Sequence, residues 1–258
     1  MRTYLSNFYK YKDLIIELIR KDIKLKYRNS FLGLLWSILN PLLFMLVLTI
    51  IFSELFSSSI ENFPIYVLTG RLLYSCFSET TNFAMQSVVT NATLMKKVYV
   101  PKYFFPISRI FSSFINSLLS MFSIIPVMLF SGLPLDTTNL LVVFPLFYLL
   151  LFCIGIGLIL STVYVFFRDI QHIYSLFLVI VMYASAIFYP VDIIPERFMP
   201  IIQMNPLFGI VEMFRDTLIY HTVPSIGAHL FSLIYSIVLI LIGLFLFYRK
   251  QDKFIFYL

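Results

Sequence analysis

Hydrophobic residues fall into six long runs along this chain, separated by shorter polar or charged segments. The runs occupy about residues 33–56, 63–89, 104–130, 140–166, 170–189 and 226–247. A helix needs about 20 mostly apolar residues to cross the hydrocarbon core of a bilayer, and each run reaches that length. The pattern therefore predicts an all-α integral membrane protein with six transmembrane helices.

The segment before the first run has a different pattern. Over residues 4–28, apolar side chains recur at helical spacing and charged side chains occupy the other side. The apolar positions are Tyr11, Leu14, Ile15, Leu18 and Ile19, and the charged ones are Lys10, Asp13, Glu17, Arg20, Lys21 and Lys24. This predicts an amphipathic helix that lies on the membrane surface or packs against a protein partner. We assign residues 1–32 to an N-terminal cytoplasmic interface helix and 33–258 to the transmembrane domain.

Residues 190–225 interrupt the run pattern ahead of the last span. Prolines divide this region into apolar pieces that are each too short to cross a bilayer. They are Pro190, Pro195, Pro200, Pro206 and Pro224. The region is expected to form short re-entrant helices on the extracellular side, with their irregular backbone covered by protein.

Composition and charge agree with a membrane protein. The chain is 60% hydrophobic and only 12% charged, whereas soluble domains have about 25% charged residues. In the predicted topology, sixteen of the 19 Lys and Arg residues lie on one side, two lie on the other, and Arg71 lies in the second span. The positive-inside rule then places both termini in the cytoplasm of a multi-pass cytoplasmic (inner) membrane protein. The same rule explains the net charge of +6 without nucleic acid as a partner.

The second span carries a stripe of polar residues. Its members are Arg71, Ser75, Ser78, Glu79, Asn82 and Gln86. At 100° per residue they cover about 100° of one helix face. Ionisable groups that face lipid are costly, so this face is expected to be covered by protein or wetted by a pathway. Polar contacts between helices and a translocation path at a dimer seam both remain open.

Candidate catalytic and metal-binding residues are absent from the sequence. Cys76 and Cys153 lack the spacing of a metal site. No glycine is followed by lysine, so the phosphate-binding loop of many ATPases cannot form. No cofactor is therefore expected in this chain, and ATP-driven transport would require a separate subunit that binds ATP and Mg²⁺.

Four segments, in order along the chain, together resemble the ABC-2 type permeases that export polysaccharides. They are 26–41 (KYRNSFLGLLWSILNP), 94–101 (LMKKVYVP), 167–170 (FRDI), and Asn205-Pro206-Leu207 followed by Glu212, Phe214 and Arg215. The resemblance implies a six-span half-transporter that forms a homodimer and binds two nucleotide-binding ATPase subunits. The implied substrate is a lipid-linked surface glycan such as O-antigen, another cell-wall polysaccharide or teichoic acid.

The 91–103 segment is the one sizeable internal connection on the predicted cytoplasmic side. It is therefore expected to couple the membrane helices to the ATPase, through Leu94, Met95, Lys96, Lys97, Val98 and Tyr99. The basic helix at the N-terminus is expected to help admit an anionic, diphosphate-linked lipid head group from the membrane. An ABC-2 exporter of lipids or drugs would share the same fold. An ion-coupled carrier often shows inverted repeats, which are not evident here, and a scaffold would not need the polar stripe.

Overall fold

The computed structural model describes residues 2–28, 32–56, 60, 62–97, 100–134 and 136–258, with side chains except those of 2–11 and 54–56. Every regular element in these ranges is helical. The α-helices are α1 (Arg2–Tyr27), α2 (Leu35–Phe56), α3 (Phe63–Thr90), α4 (Ala92–Lys97), α5 (Phe104–Met121), α6 (Ile124–Phe130), α7 (Val143–Phe166), α8 (Ile170–Tyr183), α9 (Met199–Gln203), α10 (Pro206–Leu218) and α11 (Ile226–Lys250). Short 3₁₀ helices cover Thr137–Val142, Val191–Ile193, Glu196–Phe198 and Gln251–Phe256.

Four helical stretches in the described ranges are long and apolar enough to cross a membrane. They are Leu35–Ser53, Phe104–Phe130, Thr137–Phe166 and Ile226–Phe256. They correspond to the first, third, fourth and sixth runs of the sequence, and they make the chain a multi-pass membrane protein. The stretch Phe104–Phe130, which is the third run, consists of α5 and α6, and these two helices meet at a tight turn.

The fifth run forms a shorter helix than its sequence predicts. α8 ends at Tyr183, six residues before the expected end. Its 14 residues extend about 21 Å at 1.5 Å per residue, less than the roughly 30 Å hydrocarbon core. The next residues turn away from the helix axis, and Ala186 has a positive φ of 46°. Ser185, Ala186 and Ile187 are fully buried, so protein covers this irregular backbone.

α3 is the central helix of the bundle, and it packs against α2, α5, α7 and α10. Because protein surrounds it, α3 can hold polar residues that lipid could not satisfy. The Thr80 hydroxyl donates a hydrogen bond to Ser113 Oγ at 3.2 Å, and the Tyr174 hydroxyl donates to Thr81 Oγ1 at 2.6 Å. This central position accounts for the buried polar residues of the second run, such as Thr80 and Thr81.

α7 and α11 pack together through glycine. A Cβ atom on Gly155 would lie 2.7 Å from Leu239 Cβ and 2.8 Å from the Leu239 carbonyl carbon. A Cβ atom on Gly243 would lie 2.9 Å from the carbonyl oxygen of Gly155. Small residues allow this close backbone approach, as in many pairs of membrane helices.

The 190–225 region contains α9, α10 and two 3₁₀ helices. α10 begins where Asn205 caps it, because the Asn205 side chain accepts a hydrogen bond from the Leu207 N–H at 3.1 Å. Pro206 follows as the first helical residue, a position where its missing N–H costs nothing. Leu207, Ile210 and Val211 are fully buried, so α10 packs against the bundle.

Candidate functional site

The polar stripe lies on the part of α3 that the bundle leaves open. Glu79 is exposed, and the other five members, Arg71, Ser75, Ser78, Asn82 and Gln86, are partly exposed. Most of the remaining α3 surface is buried by the surrounding helices. The structure therefore places all six residues along the accessible face of the central helix.

Among the described residues, Ser78 and Asn82 form no hydrogen bond from α3 to another helix. The Ser78 hydroxyl donates to the Ser75 carbonyl oxygen at 3.2 Å, and Asn82 Nδ2 donates to the Ser78 carbonyl oxygen at 2.9 Å. Both bonds lie within α3 itself. Polar groups that bond to their own helix remain compatible with a wet surface, and they hold no neighbouring helix within the described chain.

Three of the six stripe residues line a cavity. It has a volume of about 430 Å³ and lies between the end of α1 and the helices α2, α3 and α5. Arg71, Ser75 and Glu79 line it, whereas Ser78, Asn82 and Gln86 lie outside it. The volume falls within the range of about 300–1,000 Å³ common for small-molecule sites.

Arg71 occupies one end of this cavity. Its guanidinium carbon lies 4.4 Å from the ring centre of Phe44 and 5.7 Å from that of Tyr74. These distances fit cation–π contacts, which hold a guanidinium group without using all of its N–H donors. Within the described ranges, Arg71 has no hydrogen-bond acceptor and forms no direct ion pair.

An ion pair between Lys26 and Glu79 lines another part of the cavity. Lys26 Nζ lies 3.1 Å from Glu79 Oε2, and the two side chains are 39% and 48% exposed. The hydroxyl groups of Tyr27 and Ser37 share a hydrogen bond beside this pair. These contacts join the last turn of α1 to α2 and α3.

A second ion pair anchors α1 to α5. Arg109 Nη1 lies 3.2 Å from Asp22 Oδ1, and the Ser112 hydroxyl donates to Asp22 Oδ2 at 3.4 Å. Burial raises the pKa of Asp22 above its ordinary value, while the attraction of Arg109 opposes that rise. The pair is therefore partly desolvated, unlike the exposed pair formed by Lys26.

The apolar side of α1 packs against other parts of this chain. Ile15 is buried with Val100 and Phe104, and Leu14 and Ile19 contact the same cluster. Lys12, Asp13, Glu17, Arg20, Lys21 and Lys24 are exposed, whereas the side chains of Lys10 and Tyr11 lie outside the described atoms. The partner of the apolar face is thus the start of α5 and the residues before it.

The expected coupling segment forms α4. Leu94 and Met95 are partly buried, and Lys96 and Lys97 are exposed at the end of this helix. Val98 and Tyr99 lie outside the described residues. Met95 packs against a cluster that includes Phe254 of the C-terminal 3₁₀ helix, and Lys102 Nζ donates to the Gln251 carbonyl oxygen at 2.8 Å. The segment thus rests on the C-terminal end of the chain.

Arg215 has a structural role that the sequence analysis did not assign. It is fully buried, and its Nη1 atom lies 3.0 Å from Glu212 Oε1. Its Nη atoms also donate to the carbonyl oxygens of Tyr66, Ala186 and Ile187 at 3.1–3.3 Å. Arg215 therefore satisfies the buried, irregular backbone that follows α8.

The sequence prediction also missed several residues of the cavity. Asn40 of α2 and Asn116 of α5 line it together with Trp36. A signal was present, because Ser112, Ser113, Asn116, Ser117 and Ser120 recur at helical spacing in the third run. This second polar face matches that of α3, and it indicates a polar contact between the two helices.

Comparison with known proteins agrees with the architecture. The family model described as ABC-2 type transporter matches residues 13–219. The chain is 30% identical over 246 residues to the O-antigen export system permease protein RfbA of Klebsiella pneumoniae, covering 94% of this chain and 93% of that protein. It is 29% identical over 252 residues to the protein of the same name from Myxococcus xanthus, covering 95% of each. It is 26% identical over 255 residues to the polysialic acid transport protein KpsM of Escherichia coli, covering 96% of this chain and 97% of that protein.

Proposed function

Because the chain belongs to the ABC-2 type transporter family, we propose that it is the permease subunit of an ATP-driven polysaccharide exporter. Its substrate is a lipid-linked cell-surface glycan, which it moves outward across the cytoplasmic membrane. The observation that carries this proposal is similarity over almost the whole chain to permeases whose names specify O-antigen or polysialic acid. The accessible polar face of α3 and its cavity support a hydrophilic cargo.

The topology consists of six spans with both termini in the cytoplasm. The spans are α2, α3, α5 with α6, α7, α8 with the buried segment after it, and α11. The strong bias of Lys and Arg toward one side supports this orientation. In this arrangement α9 and α10 are re-entrant helices on the outer side.

A labelling experiment tests this orientation. Single cysteines placed at Asp136 and Glu196 react with a membrane-impermeant thiol reagent in intact cells, whereas one placed at Lys97 does not. The reverse pattern contradicts the topology.

Two copies of the chain form the transport unit. Ser78, Asn82 and Gln86 are partly exposed along α3, and polar side chains on a membrane helix normally face protein or a wet pathway. A second copy that faces this surface covers it and encloses a polar route wider than one chain provides.

ATP hydrolysis takes place in a separate subunit, one for each copy of this chain, which binds ATP and Mg²⁺. The exposed Lys96 and Lys97 at the end of α4 provide a basic contact for that subunit. α4 is attached to α3 and rests on the C-terminal 3₁₀ helix. Movement of the ATPase would therefore reach the central helix through a short, packed connection.

Deletion and complementation test the proposed function directly. Cells that lack the chain retain lipid-linked glycan inside and lose it from the surface, and the intact gene restores export. The tagged chain copurifies with an ATPase subunit from detergent-solubilised membranes. Unchanged surface glycan in the deletion strain, together with lost export of a lipid or drug, favours the alternative members of the family.

A further inference from the structure

In the proposed six-span topology, Arg71 is a cation at hydrocarbon depth, and it lines the cavity between α1, α2, α3 and α5. It lies eight residues after Phe63, or about 12 Å along a helix that is about 42 Å long. A charged side chain at such depth is costly unless protein, water or a ligand solvates it. Two aromatic rings contact the guanidinium group, but they leave its N–H donors without an acceptor in the described ranges.

Arg215 provides a comparison within the same bundle. Its Nη atoms have three backbone carbonyl oxygens and one carboxylate oxygen as acceptors, and its side chain is fully buried. Both arginines stack on aromatic rings, Arg215 on Tyr66 and Arg71 on Phe44 and Tyr74. Arg215 faces carbonyl groups, whereas Arg71 faces a cavity. The fold thus supplies acceptors for both Nη atoms of Arg215, whereas the guanidinium group of Arg71 faces the cavity.

The cavity beside Arg71 has an excess of positive charge. Lys26 and Glu79 form an ion pair, and together with Arg71 they give the described residues that line the cavity two positive charges and one negative charge. Asn116 supplies a second, independent sign of an unfilled site, since it is 5% exposed and its Oδ1 atom has no hydrogen-bond partner. Hydroxyl groups of Ser75 and Ser117 also line the space.

We propose that this cavity binds an oxyanion of the exported molecule and that Arg71 is the residue that selects for it. A guanidinium group presents paired donors that match the oxygens of phosphate or carboxylate. The oxyanion belongs either to the diphosphate of the lipid carrier or to an acidic group of the glycan. This inference rests on the proposed function, because it deepens the identity of the substrate.

The chain contains one tryptophan, Trp36, and this residue lines the cavity. Its fluorescence therefore reports occupancy in the full chain reconstituted into nanodiscs without the ATPase. Two probes separate the sources of the oxyanion: polyprenyl diphosphate in the nanodisc, and soluble oligosialic acid. Polyprenol and a neutral dextran oligosaccharide are the uncharged controls.

At least one anionic probe is expected to shift the emission of Trp36 saturably, and the neutral probes are not. Arg71→Gln should weaken that binding by about tenfold or more, because a charge-assisted hydrogen bond is lost. Arg197→Gln is the matched control, since Arg197 also stacks on a phenylalanine, 4.7 Å above the ring of Phe198, but does not line the cavity. Equal binding by wild type and Arg71→Gln overturns the proposal, as does equal binding of neutral and anionic probes or a wild-type chain that responds to neither anion.

A second measurement leaves Arg71 intact, in case Arg71→Gln does not fold. Ser75→Cys, one helical turn from Arg71, is labelled in a Cys76→Ser, Cys153→Ser background with a sulfonate or a trimethylammonium thiosulfonate reagent. The sulfonate should react several-fold faster than the cation after correction for their rates with free thiol. Faster reaction of the cation, or equal rates, contradicts an oxyanion site.

Export assays separate failure of this site from failure of the proposed function. If deletion of the chain leaves surface glycan unchanged while Trp36 still reports Arg71-dependent anion binding, the proposed function fails and the site stands. If the wild type exports glycan, and Arg71→Gln matches it in both export and Trp36 titration, the proposed oxyanion site is contradicted and the proposed function stands.

Discussion

Lys26 Nζ lies 3.1 Å from Glu79 Oε2, although the two residues are separated by 53 positions in the chain. Glu79 is eleven residues before the end of α3, or about 16 Å along the helix. The last turn of α1 therefore contacts α3 well before the C-terminal end of that helix. This contact places a basic interface helix directly beside the polar face of the bundle.

The Lys26–Glu79 contact can be tested by crosslinking. Cysteines at Lys26 and Glu79 should be bridged efficiently by a short bifunctional thiol reagent, because both long side chains end at the same point. Cysteines at Lys24 and Glu79 form the matched control, since Lys24 lies on a different side of α1. Equal crosslinking of both pairs would show that α1 is not held in this position.

The Asp22–Arg109 pair should contribute more to stability than the Lys26–Glu79 pair. Its side chains are 11% and 22% exposed, and removal of one partner leaves the other charge partly desolvated. Arg109→Ala is expected to lower the free energy of unfolding by about 2–3 kcal/mol, whereas Lys26→Ala should cost about 1 kcal/mol or less. Thermal unfolding of the purified variants in detergent measures both.

The Arg109→Ala deficit should also depend on pH. A carboxyl whose pKa is higher in the folded chain adds most to stability below its unfolded pKa, and that contribution is lost as pH rises through the folded pKa. Burial already raises the pKa of Asp22, and loss of Arg109 raises it further. The deficit should therefore shrink at acidic pH, and a deficit that grows on acidification contradicts the assignment.

Gly70 should not tolerate alanine, although alanine is the better helix former. A Cβ atom there would lie 2.7 Å from Arg215 Nη2 and 3.3 Å from Ile187 Cα, so it would displace the arginine that satisfies the buried backbone after α8. Gly209→Ala in α10 is the control, because nothing lies within 4 Å of its added Cβ. We expect Gly209→Ala to leave unfolding unchanged or raise stability by up to about 1 kcal/mol, and Gly70→Ala to lower it. Equal unfolding temperatures of the two variants would contradict the close packing of Gly70 against Arg215 and Ile187.

Bulky residues on the polar face of α3 should block export without preventing assembly. Ser78→Phe and Asn82→Phe remove only hydrogen bonds within α3, so the fold should survive them. Leu241→Phe on the exposed side of α11 is the control for added bulk, since Leu241 is 61% exposed. Surface glycan and copurification of the ATPase are measured together. Loss of the dimer or of the folded chain, with no specific loss of export, would favour a structural role for this face.

Reversal of charge at the end of α4 should weaken the contact with the ATPase. Lys96→Glu with Lys97→Glu changes two exposed side chains, so membrane insertion should be unaffected. Reduced copurification of the ATPase and reduced glycan-stimulated hydrolysis are expected. Arg197→Glu, which reverses a charge on the opposite side of the proposed topology, provides the control. Normal hydrolysis and export in the double variant would exclude α4 as the coupling element.

Much of the fold and part of the site could be predicted from the sequence, because both depend on local periodicity. The length of an apolar run and its helical spacing determine whether it suits a bilayer, so α2 and α11 follow from their composition alone. The polar face from Arg71 to Gln86 follows for the same reason, since 100° per residue places its members on one side of α3. The amphipathic pattern likewise corresponds to the apolar and charged sides of α1 from residue 12 onward, where the side chains are described.

Distant contacts were decided by the tertiary structure alone. The sequence does not specify how far each helix slides and rotates against its neighbours, and this determines that Glu79 meets Lys26 while Ser78 bonds to its own helix. The burial of Arg215 has the same origin, because the irregular backbone after Tyr183 supplies carbonyl acceptors that a continuous helix would not. Local patterns thus determined which faces of the helices are polar. Only packing decided which polar groups find partners within the chain and which, like Arg71, line a cavity.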